Sequence, residues 1–168
     1  SGLVACLMTG VSLGRLDVPL VDQAFKLLPV AVMFTAFAIG GVANAINIID
    51  GFHGLASGTA IMIALALAAI ATKVGDPSLA LAAVLVAAAV TGFWLLNYPW
   101  GKIFLGDGGA YFTGFALAWL AVLLLVRNPQ VSPWVGLLVF AYPVIEVLYS
   151  VVRRFRDQRS PGSPDGLH

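Results

Sequence analysis

Charge is what this sequence has least of. Of 168 residues, 9 are Lys or Arg and 8 are Asp or Glu, 10% in all, against 60% hydrophobic, and the mean hydropathy is +0.96. Soluble domains carry roughly 25% charged residues. So few charges cannot cover a globular surface, which excludes a soluble domain and implies an integral membrane chain. The single cysteine, Cys6, excludes an internal disulfide and a thiolate metal cluster. It lies in an apolar run and reads as a small packing residue. A net charge of +1 with no basic, aromatic-interleaved patch gives no reason to expect nucleic acid. No period-two alternation occurs in the apolar segments, which excludes a β-barrel and leaves helices. Walker loops, zincin helices and Ser-His-Asp cues are also missing. The first residue is Ser1, inside an apolar run, and the last is His168, after a polar stretch. Both ends read as cuts, so the expectation is a piece of a longer chain.

What is present is a series of long apolar runs. A bilayer core takes about 20 apolar residues of helix. Residues 1–14 read as the end of one span and 14–26 as a loop. Further spans are expected at about 27–46, 58–72, 79–96, 110–126 and 134–152. The fold class is therefore all-α, a polytopic transmembrane helix bundle of about five to six spans. Residues 1–168 form one transmembrane domain. Counting crossings puts the loop with Asp50, the loop with Asp107 and the arginines Arg153, Arg154, Arg156 and Arg159 on one side. The turns at 73–78 and 127–133 fall on the other. A cluster of arginines directly after a span assigns the shared side to the cytoplasm by the positive-inside rule.

Two polar stretches interrupt the apolar pattern. In Asn44-Ala-Ile-Asn47-Ile-Ile-Asp50-Gly51-Phe52-His53-Gly54, polar side chains arrive in steps of three and so share adjoining parts of one helical face. The glycines that follow let the backbone turn sharply. The second stretch, Phe104-Leu-Gly106-Asp107-Gly108-Gly109, has the same character and is preceded by Asn97 and Lys102. Carboxylates hold a hard divalent cation such as Mg²⁺. Arginines and the cation take up phosphate charge, and glycine backbones let N–H groups approach phosphate oxygens. That set of groups on one membrane face points to phosphoryl transfer.

Plainer readings exist for each residue. Asp50-Gly51 is a common turn, Asp107 before a span could be a helix cap, and Asn44 and Asn47 could join helices. His53 alone could be structural, and Arg153 and Arg154 could anchor topology or touch lipid headgroups. Glu146, inside the last span, is expected to face the bundle beside a polar neighbour. Two other classes compete. A transporter would want ionisable residues near mid-membrane, where Glu146 stands alone. A CDP-alcohol phosphotransferase would continue its Asp-Gly motif with an Ala-Arg pair and later aspartates, and that spacing is absent.

Together the two stretches resemble the polyprenyl-phosphate N-acetylhexosamine-1-phosphate transferase family. That family includes the phospho-N-acetylmuramoyl-pentapeptide transferase of peptidoglycan synthesis and the UDP-N-acetylglucosamine–undecaprenyl-phosphate transferases. Asn44 to Ala56 is similar to the family's Asn-x-x-Asn-x-x-Asp-Gly-x-Asp-Gly-Leu-Ala loop, and Phe104 to Gly109 to its Phe-Met/Leu-Gly-Asp-x-Gly loop. Ser160 to His168 resembles the approach to its histidine-rich loop. The wording is nearer to the UDP-GlcNAc branch. The resemblance covers the C-terminal part of such enzymes, which have about ten spans and an earlier Asp-Asp pair that does not occur here. It implies catalytic roles for Asp50, Asp107 and His168, with Asp107 holding Mg²⁺. It implies a substrate-binding set of Asn44, Asn47, His53, Asn97, Lys102, Arg153 and Arg154. His53 departs from the pattern, where Asp is usual. The implied partners are a UDP-N-acetylhexosamine, a polyprenyl (undecaprenyl) phosphate and membrane lipid, with a homodimer left open. The implied location is the bacterial inner (plasma) membrane, multi-pass, with the site facing the cytoplasm. The reaction releases UMP in cell-wall or surface-polysaccharide synthesis, and the chain by itself is expected to be inactive.

Overall fold

Prolines start half of the described helices of this bundle. In the computed structural model, which describes residues 2–156 apart from the side chain of Arg154, Pro19, Pro29, Pro77 and Pro133 each occupy the first turn of a helix. A missing N–H costs nothing there, and the fixed φ suits the helix. The described elements are α1 (Gly2–Thr9), α2 (Pro19–Ala24), α3 (Leu28–Ile48), α4 (Leu55–Lys73), α5 (Pro77–Asn97), α6 (Gly106–Arg127), α7 (Pro133–Val139) and α8 (Ala141–Arg156). No strand occurs among them.

Helices α3 to α6 are each long and apolar enough to cross a membrane, and α7 with α8 makes a fifth if the pair is one bent span. The expectation of a polytopic helical bundle holds, with three corrections. The segment expected as the end of a span, 1–14, is helical only to Thr9. The expected loop 14–26 carries the short helix α2. The expected continuous span 134–152 is broken at Phe140, and its halves are bent by 69°. Pro143 explains the break. It has no N–H for the carbonyl of Val139, and its ring crowds that carbonyl. The next regular bond runs from Val144 N–H to Phe140 C=O at 3.1 Å.

Small residues set the packing. The most extensive helix pair is α4 with α5. Its seam is built from buried Ala56, Ala60, Ala64, Ala68 and Ala71 on α4 and Ala80, Ala83 and Ala87 on α5. Side chains this small let backbones approach, which is the main attraction available to helices that gain nothing from leaving lipid. Helices α3 and α6 also meet backbone to backbone. A Cβ on Gly114 would lie 2.7 Å from the Cα of Ala43. Large apolar side chains such as Met33, Phe37, Met62 and Phe112 point outward and are strongly exposed, as a lipid-facing surface requires. Glu146 is half-buried with Tyr142 for a neighbour one turn earlier on α8.

The two ends of the bundle are distinct. At one, Arg15 donates to the carbonyls of Pro129 and Val131, and Arg127 pairs with Asp76 at 3.1 Å. These contacts gather the N-terminal loop and the turns at 73–78 and 127–133. At the other end lie the loops carrying Asp50 and Asp107. The crossing count placed those loops together and those turns opposite them, as found. Arg153 is exposed on the last turn of α8. Arg154's side chain, Arg159 and His168 lie outside what is described.

Candidate functional site

The site is the end of the bundle where α3 and α5 stop and α4 and α6 begin. Asn44 and Asn47 occupy the last turns of α3, and Asp50 follows the helix directly, its N–H bonded to the Asn47 carbonyl at 3.2 Å. Asp107 is in the first turn of α6, exposed. An anionic side chain is favoured there by the free N–H groups of the helix start. Asp50 feels the charge of Asp107. Partial burial, first, and the Asp107 charge, second, push the Asp50 carboxyl above its ordinary range. Asn44 reaches across the α3–α6 seam, where its Oδ1 accepts from Tyr111 Oη at 3.4 Å. Of the step-of-three residues, Asn44 thus meets α6 at Tyr111 and Asp50 senses the Asp107 charge.

The two loops also interlock. His53, from the first, lies on the backbone of Gly101, from the second. A Cβ on Gly101 would be 2.6 Å from His53 Nε2, and Gly101 has φ +58°. Tyr98, from the second, lies on Gly54 of the first, where a Cβ would be 2.7 Å from the ring and φ is +81°. Each loop therefore offers a ring to the other loop's glycine, at a backbone conformation that glycine adopts most easily. The ring of Phe104 sits tilted beside His53, 5.5 Å between centroids. Trp94 stacks on Tyr98 at 5.2 Å. Lys102 is exposed, with Nζ 5.6 Å from the centre of the Trp100 ring.

Asn97 differs from the other expected binding residues. It is the last residue of α5 and is buried. Its Oδ1 accepts from the Gly54 N–H at 2.6 Å, and its Nδ2 donates to the Ile103 carbonyl at 2.7 Å. Both ends of the amide are occupied by backbone of the two loops.

Sequence reasoning missed Tyr98, Tyr111 and the pairing of Gly101 with His53. Tyr111 had a signal, since it stands four residues after Asp107 and so on the same helical face. The contacts across the loops had none, because they depend on how α5 meets α4. Among the described residues no group of three or more His, Cys, Asp or Glu side chains is arranged to hold a metal ion. Mg²⁺ does not need one. It is commonly held by one or two carboxylates, with waters and substrate phosphates completing its six positions. Asp107, exposed, with the half-buried Asp50 close enough to sense its charge, fits that donor set.

The sequence profile of glycosyl transferase family 4 matches residues 1–125. The chain belongs to that family. Over 161 residues it is 29% identical to a Bacillus subtilis protein named a probable undecaprenyl-phosphate N-acetylglucosaminyl 1-phosphate transferase, covering 95% of this chain and 45% of that one. Over 145 residues it is 30% identical to undecaprenyl-phosphate alpha-N-acetylglucosaminyl 1-phosphate transferases of Yersinia pestis and Escherichia coli K12, covering 83% of this chain and 40% of each. The chain therefore spans less than half the length of these glycosyl transferase family 4 relatives.

Proposed function

We propose that this family 4 chain is the C-terminal part of a transmembrane enzyme that moves N-acetylhexosamine-1-phosphate from a UDP-sugar to a polyprenyl phosphate on the cytoplasmic membrane face. The observation that carries the proposal is the meeting of Asp50 and Asp107 from two separate loops at one end of an apolar bundle. Burial and the Asp107 charge both disfavour a bare carboxylate at Asp50, and a divalent cation would offset that cost. A UDP-sugar brings its own negative phosphates, which no pair of carboxylates would accept without one. The names of the relatives supply the lipid and the sugar phosphate.

In this reading a phosphate oxygen of the polyprenyl phosphate forms a new bond to the sugar-linked phosphorus of the UDP-sugar. The bond from that phosphorus to the bridging oxygen breaks, and UMP leaves with that oxygen. Bound Mg²⁺ would neutralise charge on the diphosphate. Asp107 would hold it, and Asp50 and Asn47 would line the sugar-nucleotide side. Asn44, tied to Tyr111, orients the end of α3. His53, exposed as a residue beside Gly101, would donate to a phosphate or sugar oxygen. Lys102, Arg153 and Arg154 would contribute positive charge for the lipid phosphate, and His168 would complete the site from the last loop. The carboxylate end is the cytoplasmic one.

The test is UMP release. The full-length protein, reconstituted with UDP-GlcNAc, undecaprenyl phosphate and Mg²⁺, should release one UMP per lipid-linked sugar phosphate formed, and chelation should stop it. Transfer of the sugar without phosphate, releasing UDP instead, would overturn the reading.

A further inference from the structure

We propose that Asn97 is a positioning residue, the latch that fixes the first loop to the second and so sets Asp50 against Asp107. This rests on the reading above for its catalytic consequence, but the latch itself stands on geometry. A primary amide has an acceptor at one end and donors at the other, about 2.2 Å apart, and cannot rotate to satisfy two partners unless both are already in place. Asn97 uses its acceptor on Gly54 in one loop and a donor on Ile103 in the other. Gly54 lies four residues after Asp50, and Ile103 four residues before Asp107. One side chain therefore ties the two chain segments that carry the carboxylates at equal sequence distance from each.

Burial makes the latch effective. Asn97 is 6% exposed, so water does not readily replace either partner, and losing one would leave a buried polar group unpaired. The rings reinforce it in both directions. Tyr98 closes over Gly54 and His53 over Gly101, so the loops cannot separate without uncovering both glycines together. A ligand-binding amide would present one of its ends to open space, whereas Asn97 presents neither. No variant of it retains the geometry in full. Asn97→Asp keeps the acceptor for Gly54 N–H and loses the donor to Ile103. Asn97→Ala loses both.

The experiment reads the loops directly. Spin labels are placed at Phe52→Cys and Gly108→Cys in the full-length protein, with the buried Cys6 replaced by alanine. Phe52 is exposed, and Gly108 is exposed with open space around it. The distance distribution should be broader in Asn97→Ala than in Asn97→Asp, and broader in Asn97→Asp than in the parent. In parallel, kcat for UMP release should fall about tenfold to a hundredfold in Asn97→Ala, the scale on which small misplacements act, while the dissociation constant for UDP-GlcNAc changes less than about twofold, well under the tenfold that 1.4 kcal/mol would give. A distribution in Asn97→Ala as narrow as the parent's would overturn the latch, as would lost UDP-GlcNAc affinity with the loops undisturbed, the signature of a direct ligand contact. If Asn97→Ala does not accumulate in membranes, Asn97→Asp is judged by the same two readings. Should the parent protein fail to use UDP-GlcNAc at all, the proposed function falls and the distance measurement still judges the latch.

Discussion

Asp76 and Asp50 are both aspartates at helix ends in polar turns, at opposite ends of the same bundle, and they are treated in opposite ways. Asp76 caps α5 and is fully engaged. Its carboxylate accepts from Leu79 N–H at 3.1 Å, Ser78 Oγ at 2.9 Å and Asn128 Nδ2 at 3.4 Å, and pairs with Arg127 at 3.1 Å. Burial opposes its ionisation, but these hydrogen bonds and the Arg127 charge outweigh it and hold the carboxyl below its ordinary range. Asp50 has no such set of donors among the described residues, and burial together with the charge of another carboxylate, Asp107, holds its carboxyl above. In the proposed function, the difference separates an acid that serves the fold from one held for a ligand. A structural carboxylate arrives with its donors supplied by the chain. A functional one is left short of them.

The largest expected break in that symmetry is catalytic. Asp107→Asn in the full-length enzyme, which keeps the shape and removes the charge, should lower UMP release by at least about a hundredfold, the scale of losing one electrostatic contact to a developing charge. Asp76→Asn should leave turnover per folded molecule near normal. Equal losses in the two variants would erase the distinction between the ends.

Next come the glycines of the interlock. Gly101→Ala places a methyl group against the His53 ring at φ +58° and should destabilise by about 1–2 kcal/mol from the backbone alone. Adding His53→Ala should recover the steric part and leave the backbone part, measured as two melting temperatures. No recovery would mean that the ring does not rest there.

Asp76→Ala should lower the melting temperature by about 2–4 °C. Because the folded carboxyl is held low, its contribution is complete above the unfolded value near pH 4 and disappears as the pH falls through the folded value. The deficit of the variant should therefore close in acid.

Asp50→Asn should do the reverse and by less. A folded carboxyl held high favours the native state below the unfolded value and loses that advantage as the pH rises through the folded one. Without divalent cation, the variant should melt slightly above the parent at neutral pH and with it near pH 3. A lower melting temperature at neutral pH would show that Asp50 has donors of its own.

Much of this was legible in the sequence. Lack of charge and runs of about 20 apolar residues determine a helical membrane bundle, because lipid leaves the backbone no other partner. The steps of three from Asn44 to Asp50 pointed to one half of the candidate site, and counting crossings brought Asp107 to the same end. The bend at Phe140 was legible in principle from Pro143, but apolar composition continues through it and hid the break. Asn97 was expected to touch substrate because its position matched a motif. Its two backbone partners come from segments 43 residues before it and 6 after it, a pairing that only the packed helices α4 and α5 create.

The contact between Gly114 and Ala43 has a mechanical side. Two helices that touch backbone to backbone share a fulcrum. From Gly114 to Asp107 is about two helical turns, a lever arm of about 10 Å. A reacting site tolerates about 0.5 Å of error, so the allowed swing about this fulcrum is only about 3°. A methyl group wedged into the fulcrum at Gly114 would spend that allowance at the membrane's middle, far from any substrate, and be read out as misalignment at the tips. In the proposed function, the glycine at this seam thus guards the aim of the two carboxylates.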